Sequence, residues 1–189
     1  TAGKQAFIVT AYVVVVPFLL WVSSRRFPGF GPFLAAGLCL CGMSLLTLQG
    51  DLSIGLGDGL SLLCALFLAL HMVVVERFVK EIDPVPFAVL QIGVVGLTTL
   101  PVALLLEPLP RHVASLGWAA LAYNVLLGTI FALVTQNLAQ KYTTSTHTSL
   151  ILSLEGVFGA LAGTLLLGES FTLRMVLGCV LIFVSILMA

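Results

Sequence analysis

The stretch SLILSLEGVFGALAGTLLL, residues 149–167, decides the fold class of this chain. It is almost entirely apolar, and its only charged residue is Glu155. A helix rises about 1.5 Å per residue, so these 19 residues extend about 28 Å, close to a hydrocarbon core about 30 Å thick. The stretch therefore predicts a membrane-spanning helix.

Six similar runs occupy most of the remaining chain, and Gly, Pro and charged residues separate them. These predicted spans are residues 7–22, 33–48, 60–75, 87–106, 118–138 and 175–189, so 149–167 is the sixth of seven spans in chain order. Nearly every charged side chain falls in a short connector, as expected where helices satisfy their own backbone and leave charge to water. The sequence predicts an all-α polytopic membrane protein with about seven transmembrane helices.

The overall composition supports the same class. Of the 189 residues, 60% are hydrophobic and 8% are charged, whereas about a quarter are charged in typical soluble domains. So little charge cannot cover the surface of a soluble body of this size. The 8 basic residues balance 8 acidic ones without any long basic run, which argues against nucleic acid as a partner. The lipid bilayer is the expected surrounding.

Lys and Arg in the connectors indicate the orientation, because short positively charged loops stay in the cytoplasm. The connectors at 23–32, 76–85 and 139–147 contain two, two and one of these residues. The three connectors that alternate with them contain none, one and one. This bias predicts a multi-pass protein of the plasma (inner) membrane with a cytoplasmic C-terminus.

No motif points to catalysis or to a bound cofactor. The sequence has no His-Glu-x-x-His, no Gly-x-Ser-x-Gly and no P-loop, and its 3 histidines lack metal-site spacing. Thiols inside apolar spans act as small hydrophobic groups, and this applies to Cys39, Cys41, Cys64 and Cys179. We therefore expect no enzyme, no cofactor and no metal.

Glu155 is the sharpest candidate for a functional residue, because an ionised carboxylate inside a membrane costs about 2.5–3.5 kcal/mol on insertion scales. The small residues beside it would admit a close neighbouring helix; they are Ser149, Ser153, Gly156, Ala160 and Gly163. Two interpretations stay open. Glu155 either carries protons or pairs with a cationic solute group, or it is a protonated or hydrogen-bonded packing residue.

His71 is the second candidate for proton coupling, because its imidazole lies within a predicted span. The alternative is a neutral imidazole that one hydrogen bond satisfies. Five further residues inside the spans are candidates for a substrate cavity, namely Thr10, Pro17, Gln91, Asn124 and Thr135. Pro17 would free the carbonyl four residues before it, whereas the amides fit interhelical hydrogen bonding equally well.

Polar residues are distributed unevenly among the spans. Away from their ends, the second and seventh spans contain only Ser44, Thr47 and Ser185 as polar residues. The other five spans contain the amide, acid and imidazole groups. This distribution predicts two scaffold helices and five helices that line a cavity.

Two groups of motifs resemble the EamA-like branch of the drug/metabolite transporter superfamily. TAGKQAFI at 1–8 and YVVVVP at 12–17 are similar to its fourth span. SLEGVF at 153–158, LGE at 167–169 and Gly178 are similar to its ninth span, the following turn and its tenth span. The family usually has Pro after the Glu of its ninth span. Gly156 stands there in this chain, which weakens the expectation of a kink.

The resemblance implies ten spans in two inverted repeats, of which this chain corresponds to spans four to ten. Residues 1–50 would end the first repeat and residues 51–189 would form the second. The implied function is secondary transport of small organic metabolites or drugs by alternating access, as an exporter, with proton coupling through Glu155 or His71. The expected partner is a small-molecule solute, and a homodimer stays open. The alternative is a non-transporting scaffold or assembly subunit, since three spans of the family pattern are not represented.

Overall fold

The computed structural model describes residues 2–48, 55–107, 114–168, 170 and 172–189. Within these ranges the chain forms helices joined by short turns, with no strand. The helices are α1 (Ala2–Thr10), α2 (Tyr12–Ser24), α3 (Gly31–Thr47), α4 (Leu56–Val79), α5 (Pro84–Leu106), α6 (Ser115–Tyr123), a π-helical segment (Asn124–Phe131), α7 (Ala132–Tyr142), α8 (Ser145–Leu152), α9 (Leu154–Leu167) and α10 (Leu173–Met188).

Seven apolar segments in this described part of the chain match the seven predicted spans. Five are long and apolar enough to cross a membrane, and they are Lys4–Ser24, Leu56–Val79, Pro84–Leu106, Ser115–Tyr142 and Ser145–Leu166. The other two, α3 and α10, are apolar helices of 17 and 16 residues. The prediction of an all-α polytopic membrane protein is confirmed.

Several helices extend beyond the predicted boundaries. α4 continues to Val79, so Glu76 and Arg77 lie within it and not in a connector. Charge marked the predicted end of this span, but the Glu76 carboxylate is paired with Lys80 one turn later, with Nζ and Oε1 2.7 Å apart. The predicted connector 139–147 was also too long. α8 begins at Ser145, where the Thr144 hydroxyl accepts a capping hydrogen bond from the backbone of its first turn.

The helices form two compact units. The first contains residues 1–74 and 144–189, and the second contains residues 75–143. In the first unit, a buried core that includes Val13, Cys39, Leu150 and Ile182 joins α2, α3, α8 and α10. In the second unit, α5 packs against α7. The division into repeats at residue 50 stays a prediction, because compactness of packing does not test it.

Helices α3 and α10 make the most extensive helix contact of the first unit. They approach at two glycines in a reciprocal way. A Cβ atom on Gly42 would lie 2.7 Å from the carbonyl oxygen of Gly178, and a Cβ on Gly178 would lie 2.7 Å from the carbonyl oxygen of Gly42. Such backbone contact gives the close packing that holds helices together in lipid.

An ion pair joins the beginnings of α1 and α4. Lys4 Nζ lies 2.6 Å from Asp58 Oδ2, and the Gly55 amide donates to the same oxygen at 2.7 Å. The two side chains are only 16% and 15% exposed. Asp58 also lies in the first turn of α4, where the helix dipole favours a negative charge. The first and third spans are therefore tied together at their N-terminal ends.

Candidate functional site

Two of the spans are each interrupted at one residue. Ala11 separates α1 from α2, and Ser153 separates α8 from α9. At both interruptions the chain makes a tighter bond between residues three apart. Val14 N donates to Ala11 O at 3.0 Å, and Gly156 N donates to Ser153 O at 3.1 Å. Ala11 and Ser153 keep right-handed helical backbone angles, so each interruption is a local change of hydrogen bonding within its span.

Hydroxyl side chains beside the interruptions bond back to carbonyls of their own helices. Thr10 Oγ1 donates to Ala6 O at 2.7 Å. In the sixth span, the hydroxyls of Ser149 and Ser153 each donate to the carbonyl three residues earlier, at 2.8 Å and 2.5 Å. Bonds of this kind compete with the regular helix ladder and often bend it.

The interruption at Ser153 does not need a proline. The sequence made a bend in this span less expected because Gly156 replaces the proline of the family pattern, but serine back-bonding provides another cause. A proline at 156 would also remove the Gly156 N–H donor described above. In the first span, Pro17 lies six residues after the interruption, where it is fully buried in α2.

A cleft of about 1350 Å³ opens beside both interruptions. Helices α1, α2, α3 and α9 line it, together with residues at the start of α10. It exceeds the about 300–1,000 Å³ of common small-molecule pockets, so it has room for an organic solute. We call this space the Glu155 cleft, and its lining includes Thr10, Tyr12, Met43, Ser153, Glu155 and Arg174.

Glu155 is exposed on the wall of this cleft, in the first turn of α9. The sequence boundary at Ser149 placed it nearer to one end of its span. In the structure the apolar segment runs from Ser145 to Leu166, so ten residues precede Glu155 and eleven follow it. The carboxylate therefore lies at the middle of a membrane-spanning segment and faces open space.

Two neighbouring helices, α2 and α3, each donate a hydrogen bond to the chain at the Ser153 interruption. The Tyr12 hydroxyl donates to the carbonyl of Ser149 at 3.4 Å, and Cys39 Sγ donates to Ser153 Oγ at 3.0 Å. Cys39 is buried, as predicted, but its thiol is a hydrogen-bond donor and not only a small hydrophobic group. Tyr12 was not singled out from the sequence, although its lone phenol in the run YVVVV was the available signal.

Arg174 was interpreted from the sequence only as a connector charge. It lies at the start of α10, and its Nη2 donates to the carbonyls of Ser44 and Leu48 at 3.2 Å and 2.5 Å. These carbonyls belong to the C-terminal end of α3, where a cation offsets the helix dipole. Arg174 also lines the Glu155 cleft, as do Met43 and Thr47 of α3. Residues of the second and seventh spans, which the sequence predicted to be scaffold helices, therefore line the cleft.

Gln91 and Asn137 meet in the second unit. Asn137 Nδ2 donates to Gln91 Oε1 at 2.7 Å, which bonds α5 to α7. Asn137 is fully buried, and its Oδ1 has no partner among the described residues. The interhelical role that the sequence left open is thus present for Gln91.

Replacing Gln91 with leucine should destabilise the protein more than replacing Asn137 with leucine. The first change leaves a wholly buried amide without its bond, which costs about 1–3 kcal/mol, whereas the second removes an oxygen that is already unsatisfied. The double variant should cost less than the sum of the two. Denaturation in detergent measures all three. Additive costs would contradict the pairing.

Asn124 begins the π-helical segment of the fifth span. Its Nδ2 donates to Ala120 O at 3.2 Å, and Thr129 Oγ1 donates to Asn124 O at 3.1 Å. The sequence predicted a regular helix here, because a π turn does not alter the apolar pattern. π segments occur frequently at functional sites.

The structure brings two predicted site residues, Thr10 and Glu155, to one cleft. His71 is exposed on α4, and neither His71 nor Pro17 is among the described residues that line the cleft. The remaining candidates belong to the second unit, where Gln91 is half-buried and Asn124 and Thr135 are exposed. Their functional roles stay predictions.

Comparison with known proteins identifies the family of this chain. A relative from Archaeoglobus fulgidus named "Uncharacterized transporter" is 27% identical over 187 residues, which is 99% of this chain and 60% of the relative. The chain thus spans 60% of the length of that protein. The model of the EamA-like transporter family matches residues 55–189. Together with the seven apolar segments and the interrupted spans, this match shows that the chain belongs to the EamA-like transporter family.

Proposed function

We propose that this chain belongs to a secondary transporter that exports small organic metabolites or drugs by alternating access. The Glu155 cleft is the solute site in this proposal, and Glu155 exchanges a proton or pairs with a cationic solute group. One observation carries it: a carboxylate at the middle of an apolar span is exposed to a cleft of about 1350 Å³. Family membership and the name of the Archaeoglobus fulgidus relative support the same function.

The cost of a membrane carboxylate explains why Glu155 is suited to this role. An ionised acid at the centre of a span costs about 2.5–3.5 kcal/mol, and a proton or a bound cation removes much of that cost. Binding of a proton or a cation would therefore make a less polar environment favourable for Glu155 and for α9, and release would reverse this preference. A packing residue would instead be expected to lie buried against a donor, whereas Glu155 is exposed.

The two interruptions beside the cleft support alternating access. Alternating access requires that the cleft open to one membrane face and then to the other. A span interrupted at one residue can change its bend there without unfolding the helix on either side. Ala11 and Ser153 supply one such position in each of two spans that line the cleft.

The proposed orientation places the C-terminus in the cytoplasm of a cell with this protein in its plasma membrane. It rests on the Lys and Arg bias of the connectors. Arg174, one of the two basic residues in the connectors proposed to be external, caps α3 and so has a separate structural reason to be there. Labelling of an Arg26→Cys variant by a membrane-impermeant thiol reagent in whole cells tests this. Labelling from outside would overturn the proposed orientation.

A flux assay tests the transport proposal. The full-length gene product in proteoliposomes would be given a panel of labelled organic cations, zwitterions and neutral metabolites, with and without an imposed pH gradient. We expect uptake of at least one class and acceleration by the gradient. Absence of movement for the entire panel, with correctly inserted protein, would overturn the proposal and favour a scaffold subunit.

Filling the cleft should reduce transport without unfolding the protein. Gly159 lines the cleft, and a Cβ placed on it would meet nothing within 4 Å. Gly159→Ala should therefore transport like wild type. Gly159→Trp should reduce the transport of large solutes more than that of small ones. Gly96→Trp is the matched control, since Gly96 also has open space but belongs to α5. Equal flux for the two tryptophan variants would contradict a solute site at this cleft.

A further inference from the structure

Tyr12 links the two helix interruptions that flank the Glu155 cleft. It directly follows Ala11, the interruption of the first span. Its hydroxyl donates to the Ser149 carbonyl, which lies 137 positions further along the chain. That carbonyl also accepts the Ser153 amide at 3.2 Å, and Ser153 is the interruption of the sixth span. The Tyr12 hydroxyl, beside the interruption at Ala11, therefore bonds to the carbonyl that also accepts the backbone amide at the interruption at Ser153.

Because Ser149 O accepts from both the Tyr12 hydroxyl and the Ser153 amide, the Tyr12 contact affects the local geometry of the helix. A side chain that bonds to a carbonyl of the helix ladder weakens the regular bond made by that carbonyl and favours a bend there. At 3.4 Å the Tyr12 bond is longer than the about 2.5–3.0 Å of a typical O–H···O hydrogen bond, so it holds the carbonyl weakly. A movement of α2 at Ala11 would therefore change the hydrogen bonding that closes the last turn of α8.

The neighbouring helix α3 holds the same interruption from another direction. Cys39 is fully buried and donates to the Ser153 hydroxyl at 3.0 Å. α3 packs closely against α10 at Gly42 and Gly178. The Cys39–Ser153 contact therefore comes from a helix of the most extensive helix pair in the unit. The interruption at Ser153 therefore lies between a 3.0 Å contact from α3 and a longer, 3.4 Å contact from α2.

We propose that Tyr12 is a positioning residue that makes the two interrupted spans bend together and thereby sets the direction of Glu155. Glu155 lies two residues after Ser153, so a changed bend redirects the first turn of α9. Tyr12 and Glu155 line the same cleft. The proposal deepens the proposed transport function and rests on it only for its kinetic consequence, because the coupled bending is a property of the fold alone.

A Tyr12→Phe variant tests the proposal, since it removes the hydroxyl and keeps the ring in the core. Tyr123→Phe is the matched control, because Tyr123 is 65% exposed on α6 and loses the same oxygen. Spin labels at Gln5→Cys and Leu165→Cys, both exposed, would report the separation of α1 and α9. Cys41, Cys64 and Cys179 would be replaced by serine, and Cys39 stays because it is buried.

We expect a narrow distance distribution in wild type and in Tyr123→Phe. In Tyr12→Phe the distribution should broaden, because α1 and α9 no longer move as a pair. An unchanged distribution in a folded Tyr12→Phe protein would overturn the proposal. Tyr12→Leu, which also removes the hydroxyl, provides a second test. If Tyr12→Phe does not fold, broadening in Tyr12→Leu supports the proposal and an unchanged distribution overturns it.

Transport kinetics separate this proposal from the transport function itself. In a transporting protein, Tyr12→Phe should lower the maximal rate about tenfold, equivalent to about 1.4 kcal/mol, with KM changed less than twofold. A rise in KM alone would make Tyr12 a solute contact and overturn the positioning role. If wild type moves no solute, the transport proposal fails, and the distance measurement still decides whether Tyr12 couples the spans.

Discussion

Gly178→Ala is expected to destabilise the protein by about 1–3 kcal/mol, the usual cost of overpacking a filled core. The added Cβ would lie 2.7 Å from the carbonyl oxygen of Gly42, and backbone cannot rotate away as a flexible side chain can. Gly42→Ala should cost a similar amount, since its Cβ meets the Gly178 carbonyl at the same distance. Larger residues at either position should prevent the α3–α10 pair from forming.

The measurement is denaturation of purified protein in detergent, followed by loss of helix. Gly37→Ala is the matched control on the same helix, because a Cβ there meets nothing within 4 Å. Alanine favours helix over glycine by about 1 kcal/mol, so this control should be neutral or stabilised. The Gly42→Ala, Gly178→Ala double variant should cost less than the sum, since one separation of the helices relieves both contacts. Wild-type stability of Gly178→Ala would contradict the close approach.

Glu155→Gln is expected to abolish the response of transport to a pH gradient. Glutamine keeps the size and hydrogen-bonding capacity of the side chain but cannot exchange a proton at neutral pH. If Glu155 carries the proton, exchange of solute across the membrane should continue while driven accumulation is lost. If it pairs with a cationic solute, affinity should fall ten- to a hundredfold, since a hydrogen bond to a charged group is worth about 1.5–3 kcal/mol.

The measurement for Glu155 is solute flux at several concentrations, with and without a pH gradient. His71→Gln is the control, because it removes the other titratable candidate, which the described lining of the cleft does not include. We expect this variant to keep its coupling. Unchanged coupling and affinity in Glu155→Gln would show that the carboxylate only packs, and equal loss in both variants would assign a shared role to His71.

Much of the architecture could be predicted from apolar runs and their separators. The seven spans were found because lipid demands long apolar helices, and the structure moved most ends by only a few residues. The errors at Glu76 and at the start of α8 have related causes. Charged or polar residues end a span in the pattern, but the pair with Lys80 keeps Glu76 inside α4, and the Thr144 hydroxyl lets α8 begin at Ser145.

The site was predictable to a smaller extent. Glu155 could be recognised because a charge in an apolar run is rare and costly. Tyr12, Cys39 and Arg174 could not be assigned roles, because their partners lie far away in the chain. The π-helical segment was missed because it preserves composition and changes only the hydrogen-bond spacing.

By itself, the sequence determined that this is a membrane protein of about seven helices and that the Glu155 carboxylate lies inside a long apolar run. Those properties follow from length and composition, because the bilayer accepts only apolar segments of sufficient length whose backbone is satisfied internally. The tertiary structure decided where two spans break, which glycines touch and which polar groups surround Glu155. These contacts depend on helices that are distant in the chain and are selected by packing, which local pattern does not encode.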